Sequence, residues 1–104
     1  MQAAYFGYVD IVRLLLRSGS HVDQYDSHKK TPLYVAAYHG RTDIVDLLIQ
    51  NGADIDHTDK NGKTPLYIAV LNGHLTIAEK LLLAGIQFHF LSIQLQLQCE
   101  YVHL

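Results

Sequence analysis

The seven histidines are the residues of this chain that most readily suggest chemistry, because imidazole binds transition metals and moves protons near neutral pH. They are spread over the whole length, at His21, His28, His39, His57, His74, His89 and His103. None of them stands in an HExxH pattern or at the Cys/His spacing of a zinc module. The sequence therefore predicts no metal site.

The other groups with catalytic potential are a serine–histidine pair and a group of aspartates. Ser20 and His21 are neighbours in the chain, and such neighbours seldom form a catalytic pair. Asp54, Asp56 and Asp59 share one polar segment, where a solvated turn with backbone hydrogen bonds explains them better than acid–base catalysis. The sequence also lacks a Gly-x-Ser-x-Gly elbow, a phosphate loop and a dinucleotide glycine pattern. We expect no enzyme activity, no cofactor and no small-molecule substrate.

Composition favours one folded domain. The chain has 104 residues, of which 49% are hydrophobic and 17% are charged, as in folded proteins. The net charge of −2 argues against a nucleic-acid partner, because such binders carry a basic face. The densest basic run, His28-Lys29-Lys30, is better explained as a solvated turn than as a phosphate site.

The sequence also bears on the compartment. Cys99 is the sole cysteine, so no disulfide can form within the chain, which fits a reducing compartment. Residues 1–10 have no basic segment and no sustained apolar core, and so do not resemble a signal peptide. No apolar stretch approaches the ~20 residues of a membrane span. We expect an intracellular protein, cytoplasmic or nuclear, with no membrane partner.

The elements that position these residues repeat every 33 residues. Four sets of residues keep this step: Gly7, Gly40 and Gly73; Gly19, Gly52 and Gly85; Ile11, Ile44 and Ile77; and Leu15, Leu48 and Leu81. A fixed period of this length is typical of a solenoid, in which each unit buries its apolar face against its neighbours. Solenoids mostly present surfaces to partners, so the period favours binding.

One complete unit contains two helices and a polar connector. Thr31-Pro32 opens the first helix, with threonine as the cap and proline at the first helical position, and Gly40 ends it. Apolar residues at helical spacing predict a second helix from about Thr42 to Gln50. A polar connector follows and contains the turn signal Asn61-Gly62.

Four segments carry a specific resemblance: Thr31-Pro32-Leu33-Tyr34-Val35-Ala36-Ala37, Thr64-Pro65-Leu66-Tyr67-Ile68-Ala69, Gly73-His74-Leu75 and Asp46-Leu47-Leu48-Ile49-Gln50-Asn51-Gly52-Ala53-Asp54-Ile55-Asp56. They resemble the ankyrin repeat, and the resemblance covers residues 1 to about 85. It implies an all-α solenoid of helix-turn-helix units with hairpin-like connectors. The expected units are a partial first repeat and its connector at 1–30, a second repeat at 31–63, an incomplete third repeat at 64–85, and a tail outside the repeats at 86–104.

Departures from the family pattern give further expectations. Tyr34 and Tyr67 stand where the family usually has histidine, and we expect structural hydrogen bonds from their hydroxyls. His74 keeps the family's Gly-His-Leu context and is expected to be structural, whereas His28 and His57 are expected to be solvated. Lys29 replaces the turn glycine found at Gly62, so it needs a positive φ at a cost of roughly 1 kcal/mol. We expect the first connector tip to be looser or bent.

The period breaks at both ends. Met1 aligns with Tyr34, which leaves a first short helix of about six residues. After Gly85 the period fails, and residues 93–98 alternate apolar and polar side chains as a strand does. These breaks predict a truncated array, a fragment or alternative product of a longer repeat protein.

The resemblance implies that a protein partner binds the concave face, which connector tips and first helices form. Carried over position by position, that face consists of Tyr5, Phe6, Tyr25, Ser27, His28, Lys30, Tyr38, His39, Thr58, Lys60, Asn61, Lys63, Leu71 and Asn72. A competing interpretation packs some of the aromatic rings within the array. The predicted function is an adaptor, scaffold or substrate receptor. The alternatives are a segment of a larger enzyme or channel and a truncated product without independent function.

Overall fold

The computed structural model describes residues 9–19 and 21–86, and gives only the backbone for residues 9–11. These residues form five helices: α1 (Val9–Arg17), α2 (Pro32–His39), α3 (Thr42–Gln50), α4 (Pro65–Leu71) and α5 (residues 75–86). The described part contains no strand, and the predicted all-α fold is confirmed. Predictions for Tyr5, Phe6, the first short helix and residues 93–98 lie outside the described residues.

The first helices begin where the Thr-Pro pairs predict. Thr31 Oγ1 accepts a hydrogen bond from Tyr34 N at 3.2 Å, and Thr64 Oγ1 accepts one from Tyr67 N at 3.1 Å. Both caps satisfy an amide at the helix start that has no partner within the helix. At the other end of α2, Gly40 has φ +73°, a left-handed conformation that suits glycine. The bounds of α3, Thr42–Gln50, are those predicted.

Helix packing follows the repeat. The first helix α2 packs against the second helix α3 of its own repeat and against the first helix α4 of the next repeat. The second helix α1 packs against α3. Each unit therefore lies against its neighbours, as expected for a solenoid.

Small and branched apolar side chains fill the space between the helices. Ala36 and Ala37 on α2 and Ala69 on α4 have no exposed surface, so the two first helices approach closely. The buried residues form one cluster: Val12, Leu33, Ala36, Ala37, Ile44, Val45, Leu47, Leu48, Ala69, Ile77, Ala78 and Leu81. The connectors begin and end at helices of this core, which fixes the positions of their ends. Among the described residues, no helix has the length and apolar character needed to cross a membrane.

Candidate functional site

The connector tips are built around one aspartate each. In the second tip, Asp59 Oδ1 accepts hydrogen bonds from Asn61 N at 2.8 Å and from Lys63 N at 2.9 Å. Gly62 N donates to the backbone oxygen of Asp59 at 3.0 Å. This local network closes the turn around the carboxylate, as short polar side chains do in turns.

The first tip has the same turn although it lacks the glycine. Asp26 Oδ1 accepts from His28 N and from Lys30 N, both at 2.9 Å, and Lys29 N donates to Asp26 O at 3.0 Å. Lys29 adopts φ +61°, as the sequence predicts for a retained turn. Asp26 supplies the same turn hydrogen bonds as Asp59, so the first tip is not bent relative to the second, and a looser tip stays a prediction.

Tyr34 and Asp59 join α2 to the connector that follows α3. The Tyr34 hydroxyl donates to Asp59 Oδ2 at 2.8 Å, and both side chains are buried. The predicted structural role of the Tyr34 hydroxyl is therefore confirmed. Asp59, which the sequence placed in a solvated turn, is only 6% exposed. Tyr67 is 49% exposed, and position 92, which corresponds to Asp59 one repeat later, is serine.

These contacts change the proton affinities of both groups. Burial alone would raise the pKa of Asp59, but hydrogen bonds from Lys63, Tyr34 and Asn61 outweigh it and hold that pKa below its usual value. Burial, together with the hydrogen bond to Asp59, raises the pKa of Tyr34 well above its ordinary range. The tyrosine therefore stays protonated and donates to an ionised carboxylate at neutral pH.

Adjacent connectors are also tied to each other. Lys60 N donates to His28 O at 2.9 Å, and Asp54 N donates to Asp23 Oδ1 at 2.9 Å. The Tyr25 ring stacks on His57, with ring centroids 5.4 Å apart and planes 28° from parallel.

The solvent exposure of His57 differs from the prediction. This residue was expected to be solvated, but its side chain is half-buried and its Nε2 is enclosed without a hydrogen-bond partner. The Tyr25 ring that stacks on it explains the enclosure. His28, in contrast, is exposed, as the sequence predicts.

The C-terminal end of α2 meets the start of α5. His74 Nε2 lies 3.0 Å from the carbonyl oxygen of Tyr38 and donates to it, and Asn72 Nδ2 donates to the same oxygen at 3.4 Å. Gly40 lies against the His74 ring, so closely that a Cβ there would be 2.8 Å from Cε1. The predicted structural role of His74 is confirmed.

Tyr38 and His39 stand beside this contact. Their rings meet edge to face at 4.8 Å, and Tyr38 is 46% exposed. Burial, followed by the charges of Arg41 and His74, lowers the pKa of His39. His39 is therefore neutral at physiological pH, and the pair presents an uncharged aromatic surface.

We call the predicted binding residues within the described part of the chain the connector face. Most of its side chains are exposed to solvent: Tyr25, Ser27, His28, Tyr38, Thr58, Lys60, Asn61, Leu71 and Asn72. Lys30, His39 and Lys63 are half-buried. Partner binding by these residues stays a prediction.

The sequence predicts turn hydrogen bonds around Asp59 but not two other features that shape this face: the matching role of Asp26 and the Tyr25–His57 stack. The signal for the first was present, because Asp26 and Asp59 recur 33 residues apart with Lys30 and Lys63 at equal distance. The stack had no such signal, since Tyr25 aligns with Thr58 and not with another ring. Within residues 9–19 and 21–86, no group of three His, Cys, Asp or Glu side chains could hold a metal ion.

Comparison with known proteins agrees with the repeat architecture. A family model described as ankyrin repeats (3 copies) matches residues 1–90. The three copies agree with the three units seen in the 33-residue period, although the unit boundaries stay predictions. A search among curated proteins finds no significant match to the chain.

Proposed function

The chain belongs to the ankyrin-repeat family, and we propose that it binds a protein partner through the connector face, as an adaptor, scaffold or substrate receptor. Ankyrin repeats generally mediate protein–protein interaction and are typically non-catalytic modules. The fold alone does not select a partner, so the proposal depends on what this particular surface offers.

The observation that carries the proposal is a pair of exposed aromatic rings held in place by neighbours. Tyr25 is 56% exposed while it stacks on His57, and Tyr38 is 46% exposed while it contacts His39. Tyrosine supplies a large amphipathic contact area and is enriched among residues that dominate binding energy. A ring already held in one orientation loses less freedom when a partner binds.

The rigid backbone beneath these rings supports the same proposal. The two connectors are joined by the Lys60–His28 and Asp54–Asp23 hydrogen bonds, and the Tyr34–Asp59 pair ties the second connector to α2. A surface supported in this way keeps its shape between the free and bound states.

Affinity capture with the full chain as bait tests this function. Tyr25→Ala and Tyr38→Ala should each remove the captured partner, with circular dichroism and thermal melting showing that the fold persists. The matched controls are Leu14→Ala on α1 and Leu75→Ala on α5, which delete exposed apolar side chains of the second helices. Partner loss in the leucine variants, with binding retained by the tyrosine variants, would place binding on the second helices and contradict the proposal.

A further inference from the structure

We propose that the connector tips, residues 26–30 and 59–63, bind an acidic segment of the partner protein; this inference rests on the proposed function and specifies the chemistry of the partner. The chain as a whole has a net charge of −2. The tips have the opposite charge, so they differ from the rest of the molecule.

Positive charge is concentrated in the two tips. They contain Lys29, Lys30, Lys60 and Lys63, which are half of the eight Lys and Arg residues in the chain. The same residues include only two of the ten acidic side chains, Asp26 and Asp59. The tips therefore have a net charge of +2 with histidine counted as neutral, and His28 adds to it when protonated.

The two tip aspartates are already engaged by the protein. Asp26 accepts two backbone amides through Oδ1, and Asp59 accepts two amides through Oδ1 and the Tyr34 hydroxyl through Oδ2. Their carboxylates are turned toward the turn backbone, where these donors partly balance the negative charge. Lys30 and Lys63 also interact electrostatically with these carboxylates, so the exposed Lys29 and Lys60 are the lysines available to an incoming ligand.

Two of the four lysines, Lys29 and Lys60, are exposed and form no ion pair within the described part of the chain. Lys80 shows the contrast, since its ammonium lies 3.0 Å from Asp46 Oδ1. Binding a carboxylate at Lys29 or Lys60 therefore breaks no existing ion pair.

The other two lysines are held close to the tips by aromatic rings. Lys30 Nζ lies 5.7 Å from the centroid of Tyr34, and Lys63 Nζ lies 5.5 Å from the centroid of Tyr67. Cation–π contacts of this length favour one position of a flexible side chain. Each tip therefore carries one exposed lysine and one lysine placed beside a tyrosine ring.

A shallow cleft between the tips offers a place for a carboxylate. It has a volume of about 130 Å³ and is lined by His28, Lys30, Asp59, Lys60 and Asn61. The hydrogen bond from Lys60 N to His28 O, at 2.9 Å, fixes its width. Packed helices lie about 8–10 Å apart, and an extended peptide rises about 3.3 Å per residue. Acidic residues about three positions apart in such a peptide therefore reach neighbouring repeats.

The charge pattern favours an acidic peptide over a nucleic acid. A nucleic acid is a long polyanion, and the net negative charge of the whole chain opposes its approach. An acidic peptide needs only the two tips, which are the positively charged part of this surface. The exposed ring of Tyr25, next to Asp26 in the chain, adds an apolar contact for a flanking side chain.

Fluorescence anisotropy with the full chain tests the inference. The probe is a labelled peptide with glutamate at about every third position, and its counterpart has glutamine at those positions. We expect binding of the glutamate peptide only, weakening as salt screens the charges. Lys29→Gln/Lys60→Gln should weaken binding about three- to tenfold, because two exposed charge pairs are lost.

The matched control is Arg17→Gln/Lys80→Gln, which changes the net charge by the same amount on α1 and α5. It should leave the affinity of the glutamate peptide unchanged. Equal or absent binding of the two peptides, or equal losses in the two double variants, would overturn the inference. So would tip-dependent binding of a single-stranded oligonucleotide that is tighter than binding of the peptide.

The outcome for the proposed function is separate from this test. If the partner captured through Tyr25 and Tyr38 binds the tip variant as tightly as the original chain, the acidic segment is excluded and protein binding stands. If Tyr25→Ala and Tyr38→Ala leave capture intact, the proposed function fails whatever the peptide shows.

Discussion

At the residue scale, the Tyr34 hydroxyl links the first helix α2 to the connector that follows α3. Its hydrogen bond reaches a carboxylate that is also bound to two backbone amides. A bond of this kind, buried and with a charged acceptor, contributes more than an exposed one. Three substitutions at this scale have outcomes that the structure specifies.

Tyr34→Phe should lower the free energy of unfolding by about 1–3 kcal/mol, because Asp59 Oδ2 loses its donor in a buried site. Tyr67→Phe is the matched control, since the exposed Tyr67 ring should lose less than about 0.5 kcal/mol. Urea denaturation of both variants measures the difference. Equal losses at the two positions would show that the hydrogen bond to Asp59 is not what stabilises the stack.

Asp59 should make stability depend on pH in the acidic range. Its pKa is lower in the folded chain than in the unfolded chain, where aspartate titrates near about 3.9. The stabilisation is therefore present above about pH 4 and is lost as pH falls through the folded pKa. In Asp59→Asn, urea denaturation should show a smaller loss of stability below about pH 4, whereas an unchanged slope would contradict the assignment.

Lys29→Gly should raise the free energy of unfolding by about 0.5–1 kcal/mol. Glycine removes the strain of a positive φ at this position, and this gain exceeds the added freedom of the unfolded chain. Lys60→Gly is the control, because Lys60 has no positive φ to relieve and the substitution should cost stability. A less stable Lys29→Gly chain would show that the turn is not strained.

At the element scale, the turn between the two helices of a repeat is a packing site as well as a connection. Gly40 ends α2 and at the same time receives the His74 ring, which donates to the carbonyl oxygen of Tyr38. Gly73 occupies the same place one repeat later, with φ +76° and no atom of the described residues within 4 Å of an added Cβ. Substitution of these two glycines therefore distinguishes backbone strain, which both positions have, from a steric conflict, which only Gly40 has.

Gly40→Ala should destabilise the chain by at least about 2 kcal/mol, since it combines a strained φ with displacement of the His74 ring. Gly73→Ala should cost about 1 kcal/mol, from the strained φ alone. Thermal and urea denaturation of the two variants provide the comparison. Equal costs would mean that the His74 contact contributes nothing to the packing of neighbouring repeats.

The helices could be predicted from the sequence because their limits depend on local chemistry. Thr31, Pro32 and Gly40 act within one turn of their own helix, so residue type and position suffice. The burial of Asp59 and the Tyr25–His57 stack depend on how one connector lies over the next. That lateral arrangement is set by packing between repeats, which a pattern within one repeat does not contain.

The connector face was likewise predictable only in part. The period and the family resemblance place its residues on tips and helix ends, and the structure shows most of them exposed. The orientation of the lysines was not predictable, because it depends on the tyrosine rings beneath them.

At the scale of the whole molecule, neighbouring repeats determine what each surface becomes. Tyr34 and Tyr67 are the same residue at equivalent positions, yet the first is 4% exposed and the second is 49% exposed. The difference arises because Asp59, in the connector that follows α3, accepts a hydrogen bond from the Tyr34 hydroxyl. A stack of this kind separates two surfaces, the connector face and the outer sides of the second helices.

Hydrogen–deuterium exchange of the full chain, alone and with the captured partner, tests most directly whether the connector face is the binding surface. Many tip amides already donate to Asp26 and Asp59, so contact with a partner should slow their exchange further. We predict slower exchange in residues 24–30 and 57–63, with little change in α3 and α5. Slower exchange confined to α3 and α5, with the connectors unaffected, would contradict the account.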